Sequence, residues 1–483
     1  VPVNAARIRA HVEALAHDSM RGRATGAPGA RMAAELLAAE LRRMGVRPAG
    51  DGGSYLARVP LMHERVQAET SVRTRAGEAV LGRDDIVLLS GASNVPARPR
   101  AQGEGPIVFA GYQADSAQRP YTDEQLRGAV LVLRLGAAPG VPAQQRPGYD
   151  PVRLWSPASP LAALVVVNEG PALKQAWDRL RFGAGLSMRL DSGTEAPGGG
   201  GPPVFLISPA AAERLLGGGL DARPRTGLGS FRFRLVENRE RPEAWNVVGV
   251  VPGSDPARAG QYVALGAHYD HLGVGEPVNG DSIYNGADDD ASGTAGVLAV
   301  AERYASLPAA RRPARSLLFV FHTAEELGLL GSRWYSENPT VPRDSIVAML
   351  NIDMMGRNHP DSVFLLGTRR ASTAFGAAVE AANARQGRPF VLDYSLDAPR
   401  HPLQLFCRSD HFSYARFGIP VAFFTTGPHA DYHRLSDHAD KIEYDKLARL
   451  SRLIADIAGD VANAPTRPAV DQPVPPLGAP CVQ

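Results

Sequence analysis

Cysteine is nearly absent from this sequence: Cys407 and Cys481 are the only two among 483 residues. That scarcity excludes a disulfide framework and a structural zinc site built on thiolates, so any metal has to be held by imidazoles and carboxylates. One Cys407 to Cys481 bridge tying down the C-terminal end and two separate thiols are both compatible with the spacing. Long apolar runs are missing as well. No stretch reaches the roughly 18 residues needed to cross a bilayer, and AAELLAAEL (33–41) carries two glutamates and reads as an amphipathic helix. Nor is there an excess of one charge. The formal net charge is +2 and the arginines are scattered, which excludes the electrostatic footprint of a nucleic-acid or membrane-surface binder.

What is present is enough apolar material, 44% of residues against 21% charged, for more than one core. Single cores stop growing near about 250 to 300 residues, so at least two domains are expected. The numbering opens on Val1 rather than Met, and from this a removed signal peptide and a secreted or periplasmic location are expected.

The N-terminal segment reads as a helix (Val3 to Ala16), a Gly-rich turn in RGRATGAPGA (21–30), a second helix (Ala30 to Met44) and strand-like alternation after Ser54. From about 87 to 225 short apolar runs such as PIVFAGY, GAVLVLRL, LAALVVVN and PPVFLIS are separated by Pro/Gly-rich loops, the pattern of a β-rich insert. Beyond Phe231, strands NVVGVV, YVALGAHYD, SLLFVF, IVAMLNIDM and PVAFFTT alternate with helices SGTAGVLAVAERYASL and LGLLGSRWYSEN, and a last helix spans Tyr444 to Val461. This predicts an α/β fold with a mixed central sheet covered by helices on both faces. The expected domains are 1–86 with 226–464, an insert at 87–225, and a Pro-rich tail at 465–483 too poor in apolar residues to pack as its own unit.

Candidate metal ligands stand at the C-terminal ends of the apolar strands, where open α/β sheets place their sites. His268 follows YVALGA, Glu325 and Glu326 follow SLLFVF, Asp353 follows VAMLNI, His433 lies in the loop after VAFFTT, and Asp289 sits in NGADDDASG before a helix. Imidazole nitrogen and carboxylate oxygen are what hydrolytic zinc sites use, and two His with three carboxylates suit two metals. Asp289 is placed to bridge, His268 and Asp353 to complete one site, Glu326 and His433 the other. Adjacent acids on one backbone diverge, which leaves Glu325 free as general base toward a water shared by two ions about 3.5–4 Å apart. Asp270 is expected to accept the second N–H of the His268 ring. His322, His429, His438, His271 and His411 read as structural or surface histidines. Asp288 and Asp290 read as capping and supporting residues, because three adjacent anions cannot crowd one ion.

GAHYDHLG, NGADDDASG, TAEELGLLGS, LNIDMMG, SDHFSYARFGIP and DYHRLSDHADKI, in this order and spacing, resemble the co-catalytic zinc aminopeptidase family. The resemblance is strong over roughly 240–460 and looser over the first 80 residues, and the insert is similar to a protease-associated domain. It implies two zinc ions held by His268, Asp289, Glu326, Asp353 and His433, Glu325 as general base, Tyr432 as hydrogen-bond donor to the oxyanion, and peptide substrates whose free amine sits near Glu325 and Asp353. Cys407 departs from the aromatic residue more usual at its position in the family. Arg357 and Arg408, beside ligand motifs, are candidates to meet a peptide carboxylate and so bear on a di-zinc carboxypeptidase or dipeptidase alternative. A glutaminyl cyclase-like enzyme, which would not need His268, and a non-catalytic binding protein are the further alternatives.

Overall fold

The computed structural model describes residues 3–74, 77–89, 99–114, 121–137, 154, 156, 158–169, 177, 186–191, 200–220, 225–474, 477, 479 and 481. Parts of the expected insert and of the tail therefore lie outside the described residues. The chain divides into two compact units: a larger one, Val1–Leu61 with Pro242–Gln483, and an inserted one, Met62–Arg241.

The larger unit is built on strands β1 (Trp245–Val251), β2 (Tyr262–His268), β3 (Ser316–His322), β4 (Ile346–Ile352), β5 (Ser362–Leu366), β6 (Val391–Asp393) and β7 (Val421–Thr425). Its helices are α1 (Ala5–Leu15), α2 (Pro28–Arg43), α3 (Gly293–Ala305), α4 (Leu330–Glu337), α5 (Thr373–Ala384), α6 (His411–Ala415) and α7 (Tyr444–Asn463). The sheet runs β1-β3-β2-β4-β7-β5-β6, with short strands at Arg47–Pro48 and Leu56–Arg58 both pairing with β1. The central strands β3, β2, β4 and β7 are parallel, whereas β1 and β5 join them antiparallel.

Strands buried on both faces read as continuous apolar runs, and β3 shows why. Leu317, Phe319 and Phe321 pack with Ile8 of α1, Leu37 of α2, Val297 of α3 and Leu450 of α7, while Leu318 and Val320 meet Tyr335 of α4 and Tyr414 of α6 on the other side. All seven residues of β3 are buried. The parallel core thus delivers the C-terminal ends of β2, β3, β4 and β7 to one edge. The helix read from Leu327 begins instead at Leu330, because Leu329 takes a left-handed φ of 62° and residues 325–329 form a turn closed by Gly328 N–H donating to Glu325 O at 2.9 Å.

Among the described residues, the inserted unit forms a nine-stranded sheet with parallel strands Gln102–Ala114, Val130–Ala137, Ala163–Val167 and Val204–Ile207 at its centre, and a helix at Pro209–Leu216. Its boundaries differ from the expected 86/87 and 225/226. The strand from Leu61 to Thr74 pairs antiparallel with Ser230–Glu240, from His63 opposite Glu240 to Arg73 opposite Ser230, and both belong to the insert's sheet. Nothing in the alternation after Ser54 signals a change of sheet, because two half-exposed strands carry the same period. The tail is tied down at two described points: Asp471 accepts the Thr373 N–H at 2.9 Å, and Cys481 is joined by a disulfide to Cys407, so polar contacts and one covalent link fasten it to the larger unit.

Candidate metal centre

His268 closes β2 and is 1% exposed. Its Nε2 lies 3.1 Å from Asp289 Oδ1 and 3.6 Å from Asp353 Oδ1. Asp289 presents its other oxygen, Oδ2, to His433 Nε2 at 3.0 Å, and Glu326 Oε2 lies 3.1 Å from that same nitrogen. One carboxylate therefore stands between two clusters. In the first, His268, Asp289 and Asp353 converge; in the second, Asp289 and Glu326 converge with His433 and also with His271. Asp289 Oδ2 and Asp353 Oδ1 are buried without a hydrogen bond of acceptable geometry, which is the condition of atoms that ligate a cation. The donor set, imidazole nitrogens with carboxylate oxygens, fits zinc.

The three consecutive aspartates divide the labour. Asp288 Oδ1 accepts the Gly356 N–H at 2.6 Å, and Asp290 Oδ1 accepts the N–H groups of Met354 at 3.0 Å and Gly293 at 2.8 Å. The outer two thus fasten the turn after Asp353 and the start of α3, leaving the middle one for the imidazoles. The Asp289–Asp290 peptide is cis. Asp437 holds this loop from the opposite side, its carboxylate accepting the N–H of Asp288 at 3.0 Å and of Asp289 at 3.1 Å. Left-handed backbone at non-glycine residues recurs beside the ligands, at Ala324 (φ 57°), Met354 (φ 61°) and His433 itself (φ 56°). Such conformations persist where surrounding bonds over-determine them.

Charges in the cluster respond to one another. Burial alone would lower His268, but the carboxylates of Glu325 and Asp353 raise it well above its ordinary value. Burial likewise opposes a charged His433, yet Asp289 and Glu326 push it up to about 10. Asp289 is held well below the usual carboxylate range, against burial, by its contacts to His268 and His433. Glu325 moves the other way: burial first, then repulsion from Glu326, Asp353 and Asp410, raises it well above its ordinary value in spite of His268. A buried site this rich in carboxylates calls for cations.

Two expectations change in detail. The His268 Nδ1 partner is the backbone carbonyl of Asp270 at 3.1 Å, with the Asp270 carboxylate farther away at 3.8 Å. That carboxylate instead accepts the Glu325 N–H at 3.1 Å and the Thr25 hydroxyl at 2.9 Å, so Asp270 steadies the Glu325–Glu326 turn. His271, read as structural, has Nδ1 2.7 Å from Glu326 Oε1 and its ring edge-on to that of His433. Only the HxDH spacing hinted at this, since the residue three beyond His268 has to turn back across the cluster. Ser409, unremarked in SDHFSY, donates to Asp353 Oδ2 at 2.8 Å.

The other candidates fall into place. Tyr432 stacks on His433 with centroids 3.9 Å apart. It shares with His268, Asp289, Glu325 and Asp353 the lining of a cavity of about 180 Å³, whose apolar wall includes Met354, Leu403, Leu405 and Phe423 and whose charged wall includes Arg408. Arg357 is engaged by Asp431 at 2.7 Å. His429 meets Asp288 Oδ2 at 3.1 Å, His411 stacks on Phe423, His322 lies 3.3 Å from the Tyr414 hydroxyl, and His438 is 3.9 Å from Asp281.

Residues 246–458 match the model of Peptidase family M28. A probable leucine aminopeptidase 2 of Aspergillus oryzae is 28% identical over 258 residues, which are 47% of this chain and 48% of that protein. The chain thus spans about half the length of that curated relative. Among solved structures, the aminopeptidase from Aneurinibacillus sp. strain AM-1 superposes with a TM-score of 0.55 at 17% identity, covering 98% of this chain and 96% of that one. A zinc aminopeptidase from Bacillus subtilis gives a TM-score of 0.54 at 17% identity, covering 94% of each chain. At such identity these structures show the fold, which is that of aminopeptidases. The segment similar to peptidase family M28, residues 246–458, is the one that bears the candidate ligands.

Proposed function

We propose that the chain is a zinc-dependent aminopeptidase that removes N-terminal residues from peptides with two zinc ions per chain. The observation that carries this reading is Asp289, with Oδ1 3.1 Å from His268 and Oδ2 3.0 Å from His433, standing between two ligand clusters as a bridging carboxylate does. His268, Asp289 and Asp353 would hold one ion, and Asp289, Glu326 and His433 the other, with His271 orienting Glu326. Bound zinc would supply Lewis acidity toward the scissile carbonyl and lower the pKa of a shared water toward neutrality. Glu325 takes the proton of the attacking water and passes it to the leaving amine. Tyr432, on the cavity wall beside His433, donates a hydrogen bond to the oxygen of the tetrahedral carbon. Glu325 and Asp353 receive the substrate's free ammonium, and the apolar wall of Met354, Leu403, Leu405 and Phe423 takes its first side chain.

The names of relatives support the reading: a probable leucine aminopeptidase and a zinc aminopeptidase. Arg408 on the same wall favours one second reading, a di-zinc dipeptidase or carboxypeptidase in which a guanidinium meets a substrate carboxylate. We also read the inserted unit as a protease-associated domain, and the location as extracytoplasmic, where a Cys407–Cys481 bridge persists. The test is metal analysis of the purified protein with steady-state hydrolysis of a leucine anilide. Two zinc per chain and hydrolysis abolished by chelation and restored by zinc are expected. A chain that binds no zinc, or hydrolyses equally well without it, overturns the proposal.

A further inference from the structure

The turn RGRATG lies outside the residues that match the family, yet it reaches into the metal centre. Arg23 is 0% exposed. Its guanidinium donates from Nε to Tyr269 O at 2.7 Å, from Nη1 to Leu15 O and Asn285 O at 2.6 Å each, and from Nη2 to Gly286 O at 2.9 Å. Four of its five N–H donors are thereby used, all on neutral carbonyls. A buried cation without a carboxylate on its fork is expensive, and burial pulls Arg23 below its ordinary range. What opposes this is the field of Asp289, Asp270, Asp290 and Asp437.

The carbonyls it binds are not arbitrary. Tyr269 follows His268, and Asn285 and Gly286 lead into Asp289. The backbone around Arg23 adds to the same brace: its carbonyl accepts the His271 N–H at 3.2 Å. Two residues on, Thr25 donates to Asp270 Oδ2 at 2.9 Å, and Asp270 Oδ1 accepts the Glu325 N–H at 3.1 Å. Gly22 makes the approach possible. It sits at φ 65°, and a Cβ there would lie 2.3 Å from Gly273 O and 2.5 Å from Tyr284 O.

We propose that the Gly22–Thr25 segment, with Arg23 at its centre, positions the metal centre: the guanidinium locks the HYDH and NGADD segments at the separation where His268 and Asp289 share a cation, and its fixed charge offsets the surrounding carboxylates. Arg23 touches neither cavity nor ligand side chain, so it acts through the loops it holds. The proposal rests on the reading of this site as a zinc centre. It distinguishes Arg23 from an ordinary buried arginine, whose loss would lower stability and leave zinc affinity unchanged.

The experiment measures zinc affinity of the full chain, stripped of metal, by competition with a chromogenic chelator, beside thermal unfolding and anilide kinetics, for wild type, Arg23→Lys and Thr25→Val. Lysine keeps the charge but cannot span four carbonyls. Zinc affinity of R23K is expected to fall about 10- to 100-fold, the usual effect of removing a group that orients ligands. At saturating zinc its kcat should stay reduced while KM changes little. R23K with wild-type zinc affinity, even with a lowered unfolding temperature, overturns the proposal. Should R23K yield no folded protein, T25V decides: a loss of about tenfold supports the proposal and an unchanged affinity overturns it. A wild-type chain that binds no zinc overturns the zinc reading as well, whereas unchanged affinity in the variants overturns this proposal alone.

Discussion

Replacing Glu325 with glutamine separates proton transfer from metal binding. The turn at this position is held by the Glu325 backbone N–H, 3.1 Å from Asp270 Oδ1, and not by its side chain, so the amide leaves the local fold in place. Glutamine keeps the size and removes the proton acceptor. A positioned general base contributes roughly 10²- to 10⁴-fold. At about 1.36 kcal/mol per factor of ten this is about 2.7–5.5 kcal/mol of barrier. On a leucine anilide kcat should fall by that factor. KM should rise only modestly, because the variant removes one of the two carboxylates that receive the substrate's ammonium and leaves Asp353 in place. The apolar wall of Met354, Leu403, Leu405 and Phe423 is untouched. Zinc content, measured on the same preparation, should equal that of the wild type, and the acid limb of the pH–rate profile should disappear. A loss of less than about tenfold with zinc retained would place the proton acceptor elsewhere. Loss of zinc together with activity would make Glu325 a ligand.

Three further perturbations follow from named contacts. Ser409→Ala removes the hydroxyl that donates to Asp353 Oδ2 and accepts from Asn351 Nδ2, each at 2.8 Å. Zinc affinity by chelator competition should drop about tenfold or more, and an unchanged value would show that Asp353 is oriented without it. Cys481→Ser opens a bridge of sequence separation 74. On the chain-entropy account a loop of that size stabilises by about 4 kcal/mol, so a loss of roughly 2–4 kcal/mol is expected in urea unfolding. A reductant should act on the wild type but not on the variant. His411 is buried and stacked on Phe423 at 4.6 Å, and burial pushes its pKa from 6.5 down to about 3. Below 6.5 the unfolded chain takes a proton that the folded one refuses, so stability should fall by up to about 1.4 kcal/mol per pH unit from 6.5 toward 3. Comparing metal-free wild type with metal-free His411→Phe isolates this contribution, and parallel pH curves would contradict it.

The parallel core was legible because both faces of β2, β3 and β4 are covered, which makes each a mainly apolar run, closed by His268 in β2 and His322 in β3 and followed directly by Asp353 in β4. Strand ends in turn marked His268, Glu325, Glu326 and Asp353. Legibility failed where a contact depends on how the chain returns on itself. The strand from Leu61 to Thr74 has the half-exposed alternation of any edge, and only its partner Ser230–Glu240 shows that it has left the first sheet. For Asp270 the residue was identified but not the atom: an HxD spacing allows carbonyl or carboxylate to meet the imidazole, and the bonds from Glu325 N–H and Thr25 draw the carboxylate away. Arg23 and Ser409 act on segments about 246 and 56 residues distant in sequence, beyond any local pattern. The Cys407–Cys481 link was equally undecidable from spacing, since bridging requires Cα atoms brought to 5.8 Å by the fold.

The central claim, di-zinc hydrolysis directed at the N-terminus, is tested most directly by one peptide library offered in two forms, with free and with acetylated N-termini, to the zinc-loaded protein. The account predicts stepwise release of N-terminal residues from the free peptides and none from the acetylated ones. Release of C-terminal residues from the acetylated peptides would contradict it and transfer the site to the carboxypeptidase reading.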